Sequence, residues 1–232
     1  VLGLEGLVLR QGSFRLAADL VVPRGAAVAV MGPSGGGKST LLAGIAGFLR
    51  PEAGHVLWDG RDLTPLPPGR RPVGVLFQDN NLFPHLDLVR NVALGLRPAL
   101  RPGRAERAAA EAALERVGLG GLGARRPAEL SGGQQGRAAL ARLLLQDRPL
   151  ILMDEPFAAL GPAQRAEMLD LTRAVLGTRG ATLLLVTHDP AEARRGCELA
   201  ILVAEGRAHE PAPVGGLIDD PPPALRAYLG RG

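Results

Sequence analysis

The stretch "MGPSGGGKST" (31–40) decides the fold. Just ahead of it, "AAVAVMG" (26–32) is a short apolar run ending in glycine, the pattern of a buried strand. From Lys38 on, "KSTLLAGIAGFL" (38–49) places Leu41, Leu42, Ile45 and Phe48 at helical spacing. Between strand and helix, Gly32, Pro33, Ser34, Gly35, Gly36, Gly37, Lys38 and Ser39 fit the pattern G-x-x-x-x-G-K-[ST]. Glycines let backbone N–H groups curl around phosphates with no Cβ in the way. The helix that follows aims its positive end at the same anion. Lys38 is placed to reach the β- and γ-phosphates of a nucleotide, Ser39 to join a Mg²⁺ shell, and Thr40 to line the same site.

Lys38 is the only lysine in a chain with 27 Lys and Arg residues together. An ammonium is a compact point charge on a thin stem, whereas a guanidinium is wider and works best as a fork. A small cation against crowded oxygens suits lysine. A glycine-rich turn with a solvated lysine would need neither the strand before it nor the helix after it.

The 232 residues suit one large domain with a subdomain. The 32 glycines and 20 prolines punctuate elements rather than forming a low-complexity tract. The single cysteine, Cys197, excludes an intrachain disulfide and a zinc cluster and reads as a buried, inert thiol. No apolar run approaches the ~18 residues of a membrane helix, and no signal-peptide start is present. The chain opens at Val1 rather than methionine, so a few residues are expected to be missing or trimmed ahead of it. The net charge of +4 invites a nucleic-acid reading, but the arginines are scattered and aromatics make up only 3%, so no nucleic-acid partner is expected.

Further strands are expected at "VGVLF" (73–77), "LILMDE" (150–155), "ATLLLVTH" (181–188) and "ELAILVAEGR" (198–207), with a hairpin at "HVLWDG" (55–60). Helices are expected at 103–118, with an Arg107–Glu111 pair, at 131–145 behind a capping serine, and at "PPPALRAYLG" (221–230). The expected fold is α/β: a mainly parallel sheet core with an antiparallel hairpin region. Residues 85–145 read as an inserted helical subdomain, with 1–84 and 146–232 forming the core of one domain. In "LILMDEP", Asp154 and Glu155 end a buried strand on opposite faces, so they should differ in role. Asp154 is the candidate for holding Mg²⁺, and Glu155 for polarising an attacking water.

"LSGGQQGR" (130–137) resembles the signature sequence of ABC-transporter ATPases. Ser131, Gly132, Gly133 and Gln134 open a helix and form a second anion site on a chain that already has one. The resemblance implies a P-loop NTPase fold and ATP and Mg²⁺ as ligands. It implies a homodimer in which each signature closes over the ATP held by the other subunit. By the same resemblance, Gln78 touches the metal and the water, and His188 the γ-phosphate. Glu155, Gln78 and His188 are then the catalytic set, and Ser39, Gln78 and Asp154 the metal set.

Within that family, "RRPVGVLFQDNNLFPHL" (70–86) and the ending "ALRAYLG" are similar to thiamine importer ATPases. Importers of iron, polyamines, sulfate or molybdate use related subunits. This implies transmembrane permease partners, an indirect link to a solute-binding protein, and a peripheral place on the cytoplasmic face of the membrane. Leu82, Phe83 and Leu86 suit either a groove for a partner helix or packing within the subdomain. Three positions depart from the family. Ala158-Ala159-Leu160-Gly161 replaces a loop that usually ends in aspartate, so hydrolysis is expected to be slower or less well coupled. Gly136 replaces a long polar residue. The aromatic that stacks on adenine has no clear equivalent: the count falls near Gln11, and Phe14 either stacks or joins the core. DNA-repair relatives would need a long coiled-coil insertion and translation relatives a second nucleotide domain. A small-molecule kinase would leave "LSGGQ" unexplained.

Overall fold

A computed structural model of the chain describes residues 1–79 and 81–228. The elements run β1 (Leu2–Gln11), β2 (Phe14–Val22), β3 (Ala27–Met31), α1 (Lys38–Ala46), β4 (Ala53–Trp58), β5 (Arg61–Asp62) and β6 (Val73–Leu76). Next come α2 (Leu88–Ala93), α3 (Arg104–Arg116), α4 (Gly132–Leu145), β7 (Leu150–Asp154), α5 (Pro162–Gly177), β8 (Thr182–Val186) and α6 (Pro190–Gly196). The chain finishes with β9 (Leu199–Ala204), β10 (Arg207–Ala208), β11 (Ala212–Pro213), α7 (Val214–Asp219) and α8 (Pro223–Tyr228). Leu229 and Gly230, the end of the helix expected over 221–230, lie outside the described residues.

The strands order β5-β4-β1-β2-β10-β9-β3-β8-β7-β6, with β11 paired to β9. Strands β9, β3, β8, β7 and β6 are mutually parallel, while β1 pairs antiparallel with both β2 and β4. The parallel strands are apolar runs because helices or the antiparallel strands cover both faces. Residue parity assigns the faces. Val28, Val30, Leu150, Leu152, Leu184 and Val186 join the core under α1 and the antiparallel strands. Ala29, Met31, Ile151, Met153, Leu183 and Leu185 join the core beneath the other helices.

The expected hairpin forms with Asp59 and Gly60 both at positive φ, the geometry of a type I′ turn. Between the neighbours β6 and β7 the chain leaves the sheet to form α2, α3 and α4, which pack on one another. The expected Arg107–Glu111 pair does not form. Arg107 donates to the Pro102 carbonyl instead, and arginine N-terminal to glutamate is the weaker helical order. No described helix is long and apolar enough to cross a membrane. Cys197 is buried, and burial pushes its thiol up to about 12, as expected of an inert side chain.

Arg71 is 2% exposed and, among the described residues, faces no carboxylate at hydrogen-bonding distance. It donates to the carbonyls of Gly44 and Ile45 at the end of α1 (2.9 and 2.8 Å), and to those of Leu66 and Thr64 (2.9 and 3.2 Å). The cation thus sits on the negative end of α1 and pins the connection after β5 to it. Gly47 makes room, because a Cβ there would lie 2.5 Å from Arg71 Nε. Arg71→Met strands these carbonyls and is expected to cost about 3 kcal/mol, lowering Tm by about 6–12 °C in a calorimetric scan. Arg71→Lys, lacking the fork, is expected to recover only part of the loss.

Candidate functional site

The loop between β3 and α1 is held in its curl by conformations and contacts that exclude side chains. Gly32, Gly35 and Gly37 have φ of +147°, +75° and +103°. A Cβ on Gly32 would lie 2.0 Å from the Val203 carbonyl oxygen of the neighbouring β9. The N-cap of α1 is Gly37, which has no side chain to cap the helix, so the first-turn N–H groups remain for an anion. Lys38 is 8% exposed, and its Nζ donates to the carbonyls of Gly32 (2.8 Å) and Pro33 (3.0 Å). Burial lowers its pKa, while Glu155 and Asp154 act in the opposite direction.

Asp154 has the parity of Leu150 and Leu152, so it faces α1, where its carboxylate accepts a hydrogen bond from the Ser39 hydroxyl. Burial raises its pKa above the ordinary 3.8, Ser39 and Lys38 pull it down, and Glu155 pushes it up. The folded protein therefore takes up this proton at higher pH than the unfolded chain. The charged carboxylate costs stability above the raised pKa, and that cost disappears as pH falls towards 3.8. Asp154→Asn is expected to melt higher than the parent at pH 7 without nucleotide, the difference closing as pH drops. A melting series against pH checks the sign.

Glu155 does not continue the strand as expected. Its φ is +44°, a left-handed conformation uncommon for a residue with a side chain, and its N–H donates to the Val186 carbonyl at 3.2 Å. The turn carries its carboxylate to half-exposed His188, whose Nδ1 lies 3.3 Å from Glu155 Oε2. Gln11, Phe14, Ser34, Gly35, Gly37, Lys38, Ser39, Thr40 and Glu155 line one cavity of about 460 Å³. Phe14 is partly buried and its ring fills the space beside Gly37, so it both packs on the core and borders the cavity. Gln11 Oε1 accepts from the Thr40 hydroxyl at 3.4 Å. Asp154 and His188 stand beside this cavity through Ser39 and Glu155 without lining it, and Gln78 is exposed in the turn after β6 and does not line it.

The signature segment lies elsewhere. Ser131, Gly133 and Gln134 border a second cavity, with Gly118, Arg137, Gln164 and Glu167 among its walls, and share no lining residue with the first. Ser131 caps α4: its hydroxyl accepts from Gln134 N (3.3 Å) and Gln134 Oε1 accepts from Ser131 N (3.0 Å). This reciprocal box takes the N–H groups of Ser131 and Gln134, leaving those of Gly132 and Gly133 in the first turn without an intrahelical acceptor. Gly136, where the family has a long polar residue, is buried.

A third cavity, also about 460 Å³, abuts Ser39, Thr40 and Asp154 on one side and Val75, Phe48 and Phe77 on the other. Phe48, expected on the apolar face of the helix over 38–49, lies beyond the end of α1 and is exposed, and its ring lies 5.7 Å from that of Phe77, also exposed, to which the sequence assigned no role. Their signal was an aromatic at each strand or helix end in a chain nearly devoid of them. Of the expected groove residues, Leu86 is buried and Leu82 packs on the core, which leaves Phe83 exposed. Buried Asn91 shapes that segment, accepting from Phe83 N (2.7 Å) and donating to the carbonyls of Phe83, Leu86 and Asp87.

The family model described as "ABC transporter" matches residues 17–158. The thiamine import ATP-binding protein ThiQ of Cereibacter sphaeroides is 61% identical over 99% of this chain and 100% of its own length. Its namesake in Ruegeria sp. is 57% identical over the same shares. Among solved structures, the ATP-binding cassette MJ0796, a dimer in a post-hydrolysis state bound to ADP and Pi, superposes with a TM-score of 0.79. It is 31% identical, over 92% of this chain and 99% of its own. With the glycine loop, the paired acids and the capped signature helix in one parallel-sheet fold, these matches show that the chain belongs to the ABC transporter family.

Proposed function

We propose that this chain is the ATP-hydrolysing subunit of a thiamine importer and that two copies close on ATP to drive their permease partners. One observation carries the dimer: the phosphate loop and the signature helix line separate cavities with no residue in common. A second copy lets both kinds of wall meet one nucleotide. Residues 85–145 act as the helical subdomain that brings the signature to it. The solute rests on relatives that carry thiamine import in their names.

Gly32 to Thr40 cradle the phosphates, with Lys38 turning from the loop carbonyls to the triphosphate, and Phe14 borders the base. Ser39 and Asp154 offer hard oxygens side by side, the donor chemistry that Mg²⁺ requires, and would hold it. Held there, Mg²⁺ would supply charge neutralisation to the phosphate oxygens. Glu155 orients and polarises the water, and His188 holds that carboxylate in place and faces the γ-phosphate. Gln78 joins them by movement of its exposed turn. Phe48, Phe77 and Phe83 form the face for the permease, on the cytoplasmic side of the membrane, with a solute-binding protein on the far side.

Co-expression with its permease subunits tests this reading. The chain is expected to sediment with membranes and to support ATP-dependent uptake of labelled thiamine, lost in Glu155→Gln. Uptake of iron, a polyamine, sulfate or molybdate instead of thiamine would overturn the solute assignment.

A further inference from the structure

Gly161 begins α5 without a side-chain cap, at φ −68° and ψ 160°. The carbonyls just before it are nevertheless occupied. Arg165, in the second turn of α5, donates through Nε to Leu160 O (2.8 Å) and through Nη2 to Ala158 O (3.2 Å). The same guanidinium meets Glu192 Oε1 at 3.3 Å and Asp189 Oδ2 at 3.8 Å on α6 and its N-cap. Glu192 is 12% exposed, and its other carboxylate oxygen accepts from the buried Thr187 hydroxyl. Thr187 Oγ1 in turn accepts from Asp189 N at 3.1 Å. His188, between them, reaches Glu155, whose carbonyl accepts from Ala158 N at 3.2 Å.

These contacts close a ring: Glu155, His188, Thr187, Glu192, Arg165, Ala158 and back to Glu155. We propose that Arg165 and Glu192 are positioning residues that strap the 155–161 loop to the 187–189 loop and so hold the Glu155–His188 pair in register. The inference rests on the hydrolytic reading of that pair. The strand ends fix only backbone, through Glu155 N to Val186 O. Beyond that point both loops leave the sheet, and Glu155 holds a left-handed conformation that its surroundings must enforce. A planar fork that binds two carbonyls and a carboxylate at once is a task for arginine. In a chain with glycine at 161, this strap supplies order to the loop that no side chain at 161 provides.

The test is steady-state ATP hydrolysis by the permease-bound complex, well below each variant's melting temperature. Arg165→Met and the near-isosteric Glu192→Gln are each expected to lower kcat about 10–100-fold while KM moves less than about twofold. Because the two act as one unit, the double variant should lose little more than the worse single. Thr187→Val should fall in the same way, and Thr187→Ser, which keeps the hydroxyl, should recover most of the rate. A kcat within about twofold of the parent in Glu192→Gln and Thr187→Val would overturn the strap, whatever Arg165→Met does to stability. Glu155→Gln in the same assay separates the two readings. If it abolishes turnover while the strap variants do not, the strap alone fails; if it leaves turnover intact, the hydrolytic reading fails and the strap with it.

Discussion

Glu155→Gln is expected to slow ATP hydrolysis about 10³-fold while leaving ATP affinity within a few-fold of the parent. The substitution keeps the shape of the side chain and removes the carboxylate that accepts a proton from water. It leaves untouched Lys38, Ser39 and the loop amides that hold the phosphates. Binding still drives the two subunits together, but the reaction that separates them is blocked, so ATP-bound dimers should accumulate and appear at twice the monomer mass by light scattering. His188→Ala should give a smaller fall, because it loosens the carboxylate at 3.3 Å without removing it. Unchanged turnover in Glu155→Gln would remove Glu155 from the chemistry.

Lys38→Ala is expected to weaken ATP binding about 100-fold, or roughly 3 kcal/mol, the scale of charge-assisted hydrogen bonds lost from a largely buried site. The ammonium is largely buried, and its hydrogen bonds go to two neutral carbonyls. A triphosphate offers it charged oxygens in exchange, so the gain on binding is large. Lys38→Arg should not restore affinity. The Nζ site is built for one compact ammonium between the Gly32 and Pro33 carbonyls, and a guanidinium is wider than that.

Much of this was legible in the residues because parallel strands covered on both faces announce themselves as apolar runs. Strands β3, β6, β7, β8 and β9 were all expected, and the parity along β7 puts Asp154 on the α1 side. The N-terminal hairpin was not placed. Leu2 and Leu4 alternate in one phase and Leu7 and Leu9 in the other, because a register shift at Gly6 (φ +52°) moves one residue out of step. Helix α5 was also passed over, although Met168, Leu169, Thr172, Val175 and Leu176 mark one buried face; a threonine sits in its middle, bonded back to the Met168 carbonyl.

The site followed the same division. Local motifs, the glycine loop and the capped signature, were readable because each is built by neighbouring residues. Contacts made through space were not. The left-handed turn at Glu155 depends on Val186, and Arg165 meets Glu192 across 27 residues and two helices, with nothing in either helix to point to the other. Arg71 looked like one more solvated arginine until α1 and the segment after β5 closed around it.

Isothermal titration of Mg²⁺-ATP into the parent, Lys38→Ala and Lys38→Arg proteins tests the central claim most directly, that the 32–39 loop grips a triphosphate through one buried ammonium. The account predicts a fall of about 100-fold in affinity for Lys38→Ala with no recovery in Lys38→Arg. Equal affinity in the parent and Lys38→Ala, with both proteins folded, would contradict it.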